Sequence, residues 1–104
     1  MASGRLGKAD LAATTNTDLY TVPTGAVSTV NVCFANRNST SVTIRLAIRS
    51  GTIADTDYLE YETTLPGNGI LERTAVVMSA AEVVVCRASG TGVSVRVHGF
   101  EEAA

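Results

Sequence analysis

Read for the alternation of apolar and polar positions, the chain breaks into short strands separated by turns. Over 41–49, Val42, Ile44, Leu46 and Ile48 alternate with Thr43, Arg45, Ala47 and Arg49, the two-residue period of a strand with one buried face. The stretch 26–38 repeats the pattern, with Val30, Val32 and Phe34 set against Asn31, Cys33 and Ala35. Near the end, Val93, Val95 and Val97 point in while Ser94, Arg96 and His98 point out. "YLEYETTLPGNGILERTAVV" predicts a hairpin about Pro66–Gly69, with Leu65 facing Ile70 and Glu62 facing Arg73. "ADLAA" and "DLYTV" predict a short strand pair around "TTNT". The segment 83–88, "VVVCRA", is apolar on both faces at its start.

About seven strands at a spacing of about 8–12 residues, with no long amphipathic helix, predict an all-β chain. The expected architecture is a single β-sandwich of antiparallel strands, jelly-roll or Ig-like, the topology left open. Residues 1–9 are small, polar and glycine-containing and read as a flexible N-terminal arm; residues 10–104 read as the sandwich domain. Composition agrees, because Val, Ile and Thr make up 31 of 104 residues and such side chains suit a pleated sheet.

Net charge is −2, and no run of basic residues stands out, which disfavours nucleic acid as a partner. No stretch approaches the about 18 apolar residues of a membrane span, so no membrane partner is expected. The first twenty residues lack the apolar core of a secretory signal. A soluble protein made in a cytoplasm follows.

Candidate chemistry is sparse. His98 is the only histidine, at an outward position, and no nucleophile motif accompanies it. Asp55 and Asp57 read as turn caps rather than as part of a calcium loop. Glu60 and Glu62 alternate onto one strand face as a glycosidase pair would, but Arg73 opposite Glu62 points to an ion pair. Asn38-Ser39-Thr40 matches a glycosylation acceptor without a secretory route. Gly90 and Gly92 join two strands and make no phosphate cradle. No catalytic, cofactor or metal residues are assigned, and no enzyme activity is expected.

Cys33 and Cys86, 53 residues apart, invite an immunoglobulin-style bridge. Strand parity opposes it, since Cys33 falls on the face away from Val30, Val32 and Phe34, and the chain has no tryptophan to pack on such a bridge. The expectation is therefore no intrachain bond, with both thiols free or one of them bonded to a neighbouring subunit outside the reducing cytoplasm.

Three stretches together carry a family resemblance: "ADLAATTNTDLYTVPTGAVSTVNVCFANRNSTSVTIRLAI", "DYLEYETTLPGNGILERTAVVMSAAEVVVCRA" and "GVSVRVHGFEE". The pattern, from about Ala9 to Glu102, resembles small β-sandwich virion proteins of tailed bacteriophages. The resemblance is marked by the opening "LAATTNTDLYTVP" and the closing "VSVRVHGFEE". It implies a virion structural protein, a capsid decoration (cement) protein or a collar, neck, tail-appendage or fibre module, without cofactor or catalysis. The implied partners are the major capsid protein or other virion proteins.

A sandwich buries one face of each sheet. The second apolar face of 83–88 therefore predicts a partner, whether a sister subunit of a homotrimer, the N-terminal segment or a capsid shell. The candidate interface residues are Cys33, Arg49, Val83, Val85, Arg87 and Arg96, the arginines being suited to bidentate contacts with carboxylates. The scarcity of aromatics, with Phe34 and Tyr61 read as core, disfavours a lectin.

Overall fold

The structure is a computed structural model that describes residues 2–104. These form eight strands: β1 (Ser3–Asp10), β2 (Thr17–Thr21), β3 (Ala26–Asn36), β4 (Val42–Arg49), β5 (Tyr58–Leu65), β6 (Ile70–Met78), β7 (Val83–Ala88) and β8 (Val93–Ala103). A 3-10 turn at Asp55–Asp57 is the only helical element among the described residues. The strands form two four-stranded sheets, ordered β1-β8-β3-β6 and β2-β7-β4-β5, and every paired strand is antiparallel.

The pairing is nested. β4 pairs with β5, β3 with β6, β2 with β7 and β1 with β8, so the chain is one long antiparallel ribbon. Rolling that ribbon over itself adds the pairs β3–β8 and β4–β7. This is the strand order of an eight-stranded jelly roll, which resolves the topology left open by the sequence.

The alternation of the sequence builds the core. Val30, Val32 and Phe34 of β3, Ile44 and Leu46 of β4, Val84 and Cys86 of β7, and Val93 and Val97 of β8 are fully buried. Each large aliphatic or aromatic side chain enclosed in this way contributes about 1.5–3 kcal/mol.

Three local expectations change. The N-terminal arm is a strand: β1 pairs with β8 from Ser3–Phe100 to Asp10–Ser94, and Leu6 and Ala9 pack on the core. Its small residues are a packing requirement rather than a sign of looseness, since a Cβ at Gly7 would run into the Leu19 carbonyl. Adding β1 makes eight strands instead of seven. Residues 9–13 and 18–22 do not pair with each other either, because β1 and β2 lie in opposite sheets.

The hairpin about Pro66–Gly69 is an arch. β5 belongs to one sheet and β6 to the other. Leu65 is 1% exposed and Ile70 is 70% exposed, which a cross-strand pair on one face could not show. Arg73 accordingly meets Glu60 at 2.7 Å, not Glu62. The turn is held from outside itself by Asn36, which is 2% exposed at the end of β3. Its Nδ2 donates to the carbonyls of Thr40, Leu65 and Pro66 at 2.9, 3.2 and 3.0 Å. Its Oδ1 accepts from the backbone N–H and the side-chain amide of Asn38, both at 3.0 Å.

The third change concerns β7. Its outer face is covered by the chain itself: Val83 and Val85 join Ala47 in a second small cluster roofed by Ile53 and Tyr58. The stretch after β4 supplies the cover that the sequence reading assigned to a sister subunit, the N-terminal segment or a capsid shell.

Both strands at the β5–β6 side of the sandwich carry bulges. Tyr61 and Glu62 together oppose Arg45, and Thr74 and Ala75 together oppose Asn31. Glu62 and Ala75 adopt left-handed backbone, with φ of 51° and 56°. Such bulges interrupt the ladder that a further strand would need.

Candidate functional site

The two outer faces of the sandwich hold the residues that the sequence nominated. On the first sheet, cross-strand neighbours form rows. Lys8 opposes Arg96, Arg96 opposes Cys33, and Cys33 opposes Glu72. In the next row Arg5 opposes His98, which opposes Asn31. A third row runs from Phe100 through Thr29 to Val77, with the outer two side chains 47% and 69% exposed. Lys8, Arg37 and Arg96 border an open groove at one end of this face.

The second sheet holds Arg49 and Arg87. Arg49 is already engaged: it reaches Asp18 at 2.6 Å and donates to the Gly51 carbonyl at 3.0 Å. Arg87 opposes Arg45 across the ladder. Both bulge residues of β5 grip Arg45, since Tyr61 lies under its guanidinium at 4.5 Å and Glu62 accepts from it at 2.5 Å. The hydrogen bond from Arg45 holds the Glu62 carboxyl below its ordinary range, and the nearby Arg87 adds to the effect. Glu60 accepts from Arg73 and from the Thr63 hydroxyl, each at 2.7 Å. Both carboxylates of the supposed glycosidase pair therefore serve ion pairs. Asp57 does cap its turn, accepting from the Ala54 N–H at 2.8 Å. The Asn38 amide is held by Asn36 and by the Thr91 carbonyl at 2.7 Å, against Gly92.

Six candidate interface residues thus fall into separate environments. Cys33 and Arg96 sit side by side on one face, while Arg49 and Arg87 lie on the opposite sheet. Val83 and Val85, 6% and 4% exposed, are withdrawn from any surface. Tyr61 is corrected in the other direction, being 58% exposed where the sequence reading placed it in the core. It shares its outward face with Leu59, two residues earlier and 37% exposed.

Cys33 and Cys86 are both free, on opposite sheets, Cys86 buried in the core and Cys33 half-buried on the outer face. Burial pushes the Cys86 thiol far above its ordinary value. Burial, assisted by the Glu72 charge, also raises Cys33. Because the thiolate is the reacting form, both thiols should be slow. Alkylation of the native protein, followed by mass spectrometry, should label Cys33 first and slowly, and Cys86 only on unfolding. Equal labelling of the two under native conditions would contradict this placement.

At the corner where the chain ends meet, Tyr20 of β2 donates to Glu101 Oε2 at 2.6 Å and shares a 2.7 Å hydrogen bond with the buried Ser28 hydroxyl. The Ala2 N–H donates to Glu101 Oε1 at 2.9 Å. The Tyr20 hydroxyl, first, and then the Ala2 N–H hold the Glu101 carboxyl below its ordinary value. The folded protein therefore binds that proton less readily than the unfolded chain. The stabilisation is present above the ordinary glutamate range and is lost as pH falls through the lower, folded value. Denaturant titrations at stepped acidic pH should show stability falling below about pH 4.3, with a shallower fall in Glu101→Gln.

Sequence reasoning missed Arg5 and Lys8, which it left in a tail. Their only sequence signal is outward alternation, and the bulge between Arg5 and Gly7 breaks that period. Among the described residues no three His, Cys, Asp or Glu side chains gather as a metal-ligand set, and no helix is long and apolar enough to cross a membrane. Comparison with protein-family models, with curated proteins and with solved structures finds no match to this chain.

Proposed function

We propose that the chain is a non-enzymatic structural protein of a tailed-phage virion, a decoration (cement) protein that binds and stabilises the head shell. The observation that carries the reading is the contact between the two marker stretches of the resemblance. "LAATTNTDLYTVP" and "VSVRVHGFEE" lie some seventy residues apart in sequence, yet Tyr20 and Glu101 join them at 2.6 Å, and Leu11 N–H donates to the Val93 carbonyl at 2.9 Å. The stretches work as one structural unit, as a shared module requires. The jelly roll suits such a role without dictating it.

The apolar side chains left outside support assembly. Leu59, Tyr61, Ile70 and Val77, four of the five large apolar residues exposed among the described residues, lie on β5 and β6. A homotrimer would use that side, through side chains rather than strand addition, because both strands are bulged. The second reading is a collar, neck, tail-appendage or fibre module that binds a host-surface glycan, and exposed Tyr61 favours it. Against it, one face of that ring already carries Arg45, and Tyr58 approaches at 4.8 Å between centroids, edge to face.

Counting copies per virion by quantitative mass spectrometry tests the proposal. A copy number comparable to that of the major shell protein supports decoration. A number matching one vertex or one tail transfers the chain to the second reading, and absence from purified particles removes both.

A further inference from the structure

The charges of the chain are arranged unevenly. Four arginines, Arg37, Arg45, Arg49 and Arg73, each hold a carboxylate at 2.5–2.7 Å. Among the described residues, Arg5, Lys8, Arg87 and Arg96 have no acidic partner within ion-pair distance. Arg87 still has Glu62 close enough for its charge to act on that carboxyl. The other three come together on the outer face of β1 and β8, with the single histidine. Lys8 stands directly opposite Arg96, and Arg5 opposite His98.

Such neighbours lie about 5 Å apart at Cβ, and like charges in that position destabilise the sheet. A chain with ten carboxylates and only eight lysines and arginines has acids to spare, yet none lies within ion-pair distance of this strip: Asp10, which borders the same groove, is held by Arg37, and Glu72 stands two strands away from Arg96 on β6. Away from the strip, five cations face ten acids (8 − 3 = 5), a charge of −5 against +3. An uncompensated patch of this kind focuses an attractive field on an oppositely charged partner.

We propose that the strip Arg5, Lys8, Arg96 and His98 is a docking surface for a carboxylate-rich protein surface. That the partner is the virion shell rests on the reading above; the chemistry of the strip does not. The same face identifies the partner as protein rather than nucleic acid. The apolar row Phe100–Thr29–Val77 continues the strip, and arginine beside exposed aromatic and aliphatic groups is the composition of protein interfaces. Glu72 and Glu102, exposed on the strands that bear the strip and its neighbours, would repel a polyphosphate but can find donors on a protein.

The test uses the purified full chain on immobilised poly-L-glutamate, with immobilised duplex DNA in parallel. Wild type should be retained on polyglutamate and released as salt shortens the range of the field. The variant Arg5→Gln/Lys8→Gln/Arg96→Gln should lose retention by about tenfold or more while melting at the same or a higher temperature, because it removes the like-charge pair. Arg87→Gln, on the opposite sheet, should bind as wild type does.

Failure of the wild type to bind polyglutamate, equal retention of the triple variant, or tighter retention on DNA would each overturn the proposal. Particle incorporation separates it from the broader reading. If wild type and triple variant enter virions equally, the strip is wrong and the virion role stands. If wild type is absent from particles but binds polyglutamate, the strip stands and the virion role fails.

Discussion

Replacing Gly99 by alanine should cost about 3 kcal/mol or more, a shift of about 15 °C in melting temperature for a domain of this size. Gly99 lies in β8 between Gly4 of β1 and Val30 of β3. A Cβ there would run into the Thr29 carbonyl and stand 2.9 Å from the Val30 Cα. Those atoms are the backbone of β3, an inner strand of the first sheet, and have no rotamer to change. The variant must push β8 off β3 or twist away from β1, and either course opens the Tyr20–Glu101 corner. Thermal unfolding by circular dichroism reads the effect. A Gly99→Ala protein melting within a few degrees of wild type would show that the β3–β8 spacing is looser than described. Gly25→Ala is a useful comparison, because a Cβ there meets nothing within 4 Å, although its φ of 79° carries strain of its own.

Asn36→Asp should be the second severe change, and its severity should depend on pH. The substitution keeps the shape of the side chain but replaces an NH2 donor by an oxygen, among three carbonyls at 2.9–3.2 Å. A buried carboxylate facing those oxygens, without a cation, would cost about 3 kcal/mol or more at neutral pH. The carboxyl would then hold its proton to a higher pH in the fold than in the unfolded chain. The penalty relative to wild type is therefore small below the ordinary aspartate range and grows as pH rises through and above it. Paired denaturant titrations of variant and wild type at acidic and neutral pH check this. A difference that does not narrow in acid would contradict the donor role of Asn36. Asn36→Ala should lose stability with no such pH dependence, since it removes the donor without adding a charge.

Much of this molecule is written locally. The alternation in β3, β4 and β8 identified the core residues, because a two-residue period with one apolar face has a single way to be buried. The free cysteines followed from the same parity: Cys33 is one residue out of step with Phe34, and a step of one changes the face. What the local pattern cannot carry is which strands become neighbours. "LPGNG" makes a hairpin and an arch equally well, and distant contacts decide between them, among them Asn36, whose side chain holds the turn, and the Asn38 carbonyl, which accepts from the Asn68 N–H. β1 was hidden because its small residues earn their place only against β8 and Leu19. The basic strip was hidden for the same reason: Lys8 and Arg96 are 88 residues apart, and neither is unusual alone. Val83 and Val85 show the opposite error, in which a real local signal, a strand apolar on both faces, was assigned to a sister subunit, the N-terminal segment or a capsid shell when the stretch after β4 supplied the cover.

The nested ribbon also gives the chain an order of assembly in time. Joining β4 to β5 closes only the short loop after Arg49, whereas pairing β1 with β8 brings Ser3 to Phe100. Loop-closure entropy rises with the length closed, and topologies dominated by distant contacts fold slowly, in about milliseconds to seconds. The inner pair is therefore the cheapest nucleus, each outer pair inherits ends already drawn together, and β1 on β8 is the last seam to close. It should also be the first to open. Backbone amides along β1 should exchange with solvent before those of β4, and a nascent chain cannot complete this fold until β8 has been made.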